Sequence, residues 1–395
     1  SGYGNDIIIG GYLGDSITSE GGNNLIIGDS GLIDYGYGIG DLQLVESIAF
    51  IYGGPDVIKS GLGADIIIAG SGADKITANL HENTAETQLD LSNIVIGDNG
   101  SIDYLDNGDQ KSSDIDTIVS TATNVGSADI ITTGVADDII IGGKGADIIE
   151  ASDGDNLVLG DNGRITAAIS NTHRFGQQPI TLGLVETLES LIGGSDRIYV
   201  GSGNDIVLGG INEDVIVGGF DETSSTYLPS EGNNIFIGDS GYIDWTALDH
   251  ETPETALAGD DSDPSDLDRI VSTAPNHGGN DTIVAGAGND IIVGGEDGEI
   301  VTETESGHSV TPGLIDGDSI IAGSGNNIVF GDNAYIVAAK ENGPQYDGLP
   351  ITLGLVASLE SLIGGSDRIT TGLGSDIIIG GIDADVIIAN FGETA

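Results

Sequence analysis

A nine-residue period constrains this chain more than any other property. From Gly134 to Gly163 the sequence divides into the lines GVADDIIIG, GKGADIIEA and SDGDNLVLG, with Asp138, Asp147 or Asn156 fifth and Ile140, Ile149 or Val158 seventh. Self-similarity at so short a period is the signature of a solenoid, in which each unit buries its apolar side only against its neighbours. The chemistry of one line follows from its residue types. Glycines at the first and third places let the chain turn sharply with its carbonyls on one side. The Asp adds a carboxylate to that oxygen cluster, and the β-branched or Leu residues that follow form a short strand whose middle residue faces inward.

Two lines make one coil, so turns on the same side recur every eighteen residues. Acidic or amide residues recur at that distance: Asp6 with Asn24, Asp56 with Asp74, Asp129 with Asp147, Asp138 with Asn156, Asp196 with Asp214, and Asp367 with Asp385. Hard cations such as calcium take six to eight oxygens from carboxylates and backbone carbonyls, and each pair is expected to grip one ion between successive coils. The full set of candidate metal ligands adds Asp15, Asp65, Asp205, Asn234, Asp281, Asp290, Asp318, Asn327 and Asp376.

The lines GYGNDIIIG (2–10), GLGADIIIA (61–69), GKGADIIEA (143–151), GSGNDIVLG (201–209), GAGNDIIVG (286–294) and GLGSDIIIG (372–380) resemble the glycine- and aspartate-rich nonapeptides of the RTX (repeats-in-toxin) family, G-G-x-G-x-D-x-U-x with U a large aliphatic residue. The resemblance implies an all-β parallel β-roll that binds several calcium ions in its turns and folds after secretion from a bacterium. Some lines lack a glycine or carry Asn for Asp.

A larger module overlies the small one. The ending NNLIIGDSG (23–31) recurs as NIVIGDNG, NLVLGDNG, NIFIGDSG and NIVFGDNA. After each comes an irregular insert and then a fresh start such as GGPD at 53 or GGSD at 193. The reading divides the chain into a partial roll module at 1–41, modules at 42–114, 115–181, 182–266 and 267–352, and a second partial module at 353–395, with β-rich inserts. The inserts alternate between two kinds, LGLVETLESLIGG (182–194) and DTIVSTATN (116–124). The first has apolar residues at helical spacing. The counterpart of the second carries Pro275 with Ile270, Val271 and Thr273, which favours a short strand running into a turn. Between them lie acidic loops around Asp103–Asp116 and Asp244–Asp268, read as solvated, with weak calcium binding or a bridge to a neighbour as the alternatives.

Flanking the inward residue, Ile66 and Ile68, Ile139 and Ile141, and Ile206 and Leu208 are also apolar, so the sheet is expected to be covered on both faces. Inserts folding back are the nearer cover; lateral packing against another chain is the other. A flat ice-binding face would need ranks of Thr or Asn where outward positions are mainly Ile.

Composition narrows the partners. The formal net charge is −54, from 64 acids against 10 Lys and Arg, which makes nucleic acid and anionic membrane poor partners. There is no cysteine, and 38% of residues are hydrophobic and periodically placed, so metal rather than disulfides is the staple available to the fold. No stretch reads as a signal peptide or a membrane span. GDSG, with Ser30 and Ser240, is read as a turn because other modules carry Asn there. His81, His173, His250, His277 and His308 share no module position, and Gly143-Lys144-Gly145 lacks the spacing of a phosphate loop. No active site is expected.

The expected function is a calcium-binding structural segment of a large secreted or cell-surface bacterial protein, as scaffold, adhesin stalk or extracellular fibre, with self-association laterally or head to tail. The alternative is the accessory calcium-binding region of a secreted protease, lipase or epimerase. Both ends fall inside a module, which leads to the expectation of a longer array.

Overall fold

The computed structural model describes residues 1–36, 42–78, 91–105, 113–170, 172–221, 226–227, 232–250, 255–257, 259–296, 317–341, 343–359 and 364–389. Each aliphatic triplet after a fifth-place Asp or Asn is a short strand, and successive triplets alternate between two parallel sheets of eleven strands. One sheet, here the middle sheet, runs from Ile7–Ile9 to Ile377–Ile379; the other, the outer sheet, runs from Ser16–Thr18 to Val386–Ile388. Register keeps like positions together: Ile7, Ile8 and Ile9 lie beside Leu25, Ile26 and Ile27, and Ile139, Ile140 and Ile141 beside Leu157, Val158 and Leu159.

The central residue of each strand builds the interior of the roll. Ile26, Ile67, Val95, Ile140 and Val158 of the middle sheet pack with Ile17, Ile58, Ile76, Ile131 and Ile149 of the outer sheet, nearly all of them fully buried. Each such side chain contributes about 1.5–3 kcal/mol relative to exposure. Ladders of like residues at like depth leave little freedom for the strands to slip.

A third sheet, of ten strands, covers the other face of the middle sheet. It consists of hairpins such as Gly31–Asp34 with Leu44–Ser47, Gly100–Asp103 with Thr117–Ser120, and Gly163–Ala167 with Leu182–Thr187. Neighbouring hairpins also pair antiparallel, as Ile102 with Val45 and Ile118 with Ile165. A hairpin is two strands wide, about 9–10 Å, which is the rise of two coils. One hairpin can therefore leave every second coil and tile without gaps, and this is the physical origin of the longer module.

The cover explains the apolar flanks. Val45, Ile102, Ile118, Ile165, Val185, Ile243, Ile270 and Ile336 of the hairpins form one buried cluster with Leu25, Ile27, Ile94, Ile96, Ile139, Ile141, Leu157 and Leu159 of the middle sheet. The chain's own inserts do the covering. Both kinds of insert are strands running into a turn, and the turns place Ala49, Ala122, Glu189 and Ala274 in the left-handed region, at φ 59°, 47°, 53° and 52°. The helical spacing of LVETLESLI reflects one strand face followed by a turn.

The solvent face of the outer sheet differs from the expected run of Ile. It carries Thr18, Lys59, Lys75, Thr77, Thr132, Arg197, Arg368 and Thr370 among Val57, Ile130 and Ile321. Among the described residues no helix is long and apolar enough to cross a membrane.

Candidate metal centres

The turns form two edges. On the first edge, where the chain passes from the middle to the outer sheet, the fifth-place residues are Asp15, Asp56, Asp74, Asp129, Asp147, Asp196, Asp214, Asp281, Asp318, Asp367 and Asp385. Each backbone N–H donates to Oδ1 of the Asp one coil further on. The bonds measure 2.6 Å from Asp15 to Asp56, 2.7 Å from Asp56 to Asp74, and 2.7 Å along Asp74, Asp129, Asp147, Asp196 and Asp214. The ladder continues through Asp281, Asp318 and Asp367 to Asp385, with bonds between 2.7 and 3.1 Å. It is continuous across the inserts: Asp74 and Asp129 are joined as closely as the pairs eighteen residues apart, although 55 positions separate them.

With Oδ1 committed, the second oxygen faces the turn. Oδ2 of Asp15, Asp56, Asp74, Asp129, Asp147, Asp196, Asp214 and Asp367 is buried and has no hydrogen-bond donor. Beside it lies a cradle that only glycine leaves open. A Cβ on Gly142 would meet the Gly160 carbonyl and sit 2.6 Å from Oδ2 of Asp147. A Cβ on Gly97 would lie 2.5 Å from both Oδ2 of Asp129 and the Gly142 carbonyl. The same pairing of Oδ2 with a carbonyl recurs at Gly28, Gly160, Gly209, Gly238, Gly294 and Gly331. Among the described residues no three Asp, Glu or His side chains converge. The oxygen set instead mixes carboxylate with backbone carbonyl, which suits calcium and gives no foothold to metals that prefer nitrogen or sulfur.

Burial pushes these carboxyls upward: Asp56 to about 6, Asp147 to about 7, Asp74 and Asp367 to about 8, and Asp129, which also faces Asp98 and Asp147, to about 11. Burial likewise raises Asp196 and Asp214, with neighbouring carboxylates adding to it. A buried row of anions one strand spacing apart is unfavourable until a cation or protons neutralise it.

The second edge carries the same N–H to Oδ1 ladder on different residues. Asp6, Asn24, Asp65, Asn93, Asp138, Asn156, Asp205, Asn234, Asp290, Asn327 and Asp376 follow one another at 2.6–3.1 Å. Acid and amide alternate strictly. Asn93 stands in this ladder and is absent from the sequence-based set, although the line NIVIG that it opens carries the signal.

A further group of carboxylates was missed altogether. Asp29, Asp98, Asp161, Asp239 and Asp332, the Asp of each GD ending, are buried at the root of each hairpin. Oδ1 of Asp161 accepts the Gly194 N–H at 2.8 Å, and its Oδ2 accepts the Ile211 N–H at 2.6 Å. Asp98 does the same for Ser127 and Lys144, and Asp29 for Gly54 and Ser71. Each therefore ties the returning hairpin to the turn of the next coil. Gly53, Gly126, Gly193, Gly278 and Gly364 lie where a Cβ would strike this carboxylate, which accounts for the small residue opening every fresh start. Asp161→Ala is expected to strand one buried and one half-buried N–H group and cost about 2–4 kcal/mol, read as a lower urea midpoint in excess calcium.

The loop around Asp244–Asp268 ties to itself where it is described. Asp268 Oδ2 accepts the N–H groups of Ala247 and Asp261 at 2.9 and 3.1 Å. Asp260 pairs with Arg269, and His250 Nε2 lies 2.8 Å from Asp244 Oδ2. Half of the other acidic loop, 106–112, lies outside the described residues, as do His81 and His308.

These features define a class: a parallel β-roll whose turns hold buried carboxylates against open backbone carbonyls. Segments 51–80, 126–164, 192–222, 277–298, 313–334 and 363–393 match the family model of the RTX calcium-binding nonapeptide repeat. These six segments are RTX repeats, which bind Ca2+ at multiple sites. No curated protein and no solved structure matches it.

Proposed function

We propose that these residues are a calcium-stiffened structural segment of a large secreted or cell-surface bacterial protein, serving as scaffold, adhesin stalk or extracellular fibre, with no catalytic role of their own. The observation that carries this reading is the first-edge ladder, unbroken from Asp15 to Asp385. Calcium held by those Asp oxygens and the facing Gly carbonyls would supply a doubly charged counterion at each turn. The Asp residues fix its place and deliver negative charge, while the Gly carbonyls complete the oxygen shell without adding charge. Extracellular calcium near the millimolar range saturates oxygen sites that cytosolic levels leave empty, so such a segment stiffens only after export.

Calorimetric titration with calcium combined with small-angle scattering tests the reading. Uptake of several ions per chain is expected to convert an expanded coil into a rod whose roll axis is about 50 Å, from ten strand spacings of about 4.8 Å. Uptake with no change in dimensions would leave calcium as a surface ligand and remove the structural role.

A further inference from the structure

The two edges of the roll differ at two places in the turn. On the first edge, the residue that closes each middle-sheet strand is glycine in every coil but that of Ala69. On the second edge the corresponding residue carries a Cβ in every coil but that of Gly218; Ser19, Ser60, Ala78, Thr133 and Ala151 are examples. The cradle is therefore open on one side of the roll and filled on the other.

The second difference is the amide. Oδ1 of Asn24 accepts the Asp6 N–H at 3.1 Å, and Oδ1 of Asn156 accepts the Asp138 N–H at 3.1 Å. This fixes each amide's orientation, because its other atom, a donor, must face the turn. Asn24 Nδ2 donates to the Gly22 carbonyl at 2.7 Å. Asn156 Nδ2 donates to Gly154 and Ser152 at 3.0 and 3.2 Å. Asn234 Nδ2 reaches Gly232 and Ala285 at 3.4 and 3.3 Å, and Asn327 Nδ2 reaches Gly325 and Gly323 at 3.4 and 3.5 Å. Asn24, Asn156 and Asn327 also donate to Oδ1 of the Asp in the following coil, at 2.9, 3.1 and 3.3 Å. The N–H2 group thus lies among the carbonyls and carboxylate of the turn, where its partly positive hydrogens do what a cation would do and leave no room for one. Asn93 keeps its place in the ladder without such a carbonyl contact and is not among these residues.

We propose that calcium lines the glycine-closed coils of the first edge, and that Asn24, Asn156, Asn234 and Asn327 are built-in replacements for the ion that close alternate coils of the second edge without metal. This rests on the calcium-binding reading above and departs from the sequence expectation that these four Asn residues are ligands. One edge then needs an ion at each glycine-closed turn, while the other has alternate turns that need none.

Anomalous diffraction from crystals of the full chain, with calcium exchanged for terbium, locates the ions directly. Peaks are expected beside Asp147, Asp196 and Asp214, with none at Asn156, Asn234 or Asn327. Peaks at the Asn coils would overturn the proposal; peaks on neither edge would overturn the calcium reading itself. In solution, converting both features of one turn, Asn156→Asp with Ala151→Gly, is expected to add one calcium per chain by native mass spectrometry. Retention of the original count would show that the amide and the Cβ are not what keeps the ion out.

Discussion

Chelating calcium at about pH 8 is expected to abolish the β-sheet signal of this chain in far-ultraviolet circular dichroism, and lowering the metal-free sample to about pH 5 is expected to restore much of it. Both results follow from the same buried carboxylates. Burial foremost raises Asp56 and Asp332 to about 6, Asp290 to about 7, and Asp74 and Asp367 to about 8, from an ordinary value of 3.8. A carboxyl whose value is higher in the folded than in the unfolded chain makes the folded state bind more protons. Its penalty is absent below the unfolded value, and stability is lost as the pH climbs from about 4 through about 6–8. The same upward shift recurs from coil to coil, and it acts against a domain stability of only roughly 5–15 kcal/mol. The metal-free roll is therefore expected to lie on the unfolded side at neutral pH, with calcium supplying the neutralisation. Acid strips the ion, because protonated carboxylates no longer ligate, but it also removes the repulsion that the ion had masked. A metal-free chain that kept its full sheet signal at about pH 8 would show that the turns tolerate their charge unaided.

The parts of this architecture that repeat locally were open to reading from the sequence. A glycine, an Asp and an aliphatic triplet within nine residues fix a turn, a candidate ligand and a strand, and the apolar flanks at Ile66 and Ile68 already required a cover. The parts set by distances between coils were not. Nothing local shows that a hairpin is as wide as two coils are tall, so the tiling of the cover sheet emerges only in three dimensions. The ladder from Asp74 to Asp129 crosses an insert that breaks the eighteen-residue rule. Asp161 was overlooked because its partners, Gly194 and Ile211, lie 33 and 50 residues away, while in two other modules the serine of GDSG beside Asp29 and Asp239 drew attention to a different chemistry. The alternation of Asp and Asn on the second edge is plain in the sequence. Its meaning depends on which amide atom faces the carbonyls, and only the backbone of the adjacent coil decides that.

Asp147→Ala is expected to be among the most damaging single substitutions in the roll, at about 3–5 kcal/mol in millimolar calcium, whereas Asp263→Asn should stay within about 0.5 kcal/mol of the parent. Asp147 acts in three ways. Its Oδ1 accepts the Asp129 N–H at 2.7 Å, its own N–H donates to Asp196 Oδ1 at 2.7 Å, and its Oδ2 faces the Gly142 cradle. Truncation leaves the buried Asp129 N–H without an acceptor and removes a ligand from the file. Because each coil touches mainly its neighbours, that loss weakens the stack in its middle, where no terminal fraying can absorb it. Asp263 is exposed, and its Oδ1 accepts only the Ser265 N–H at 3.2 Å, a bond that an Asn oxygen retains. The informative intermediate is Asp147→Asn. An amide there keeps the oxygen that Asp129 needs and turns its N–H2 toward the carbonyls, as Asn156 does on the other edge, so this variant should lose an ion yet retain more stability than the alanine. Urea denaturation at fixed calcium, paired with ion counting on the same samples, separates the three. Equal losses of stability and calcium at positions 147 and 263 would place the ions in the acidic loop rather than along the ladder.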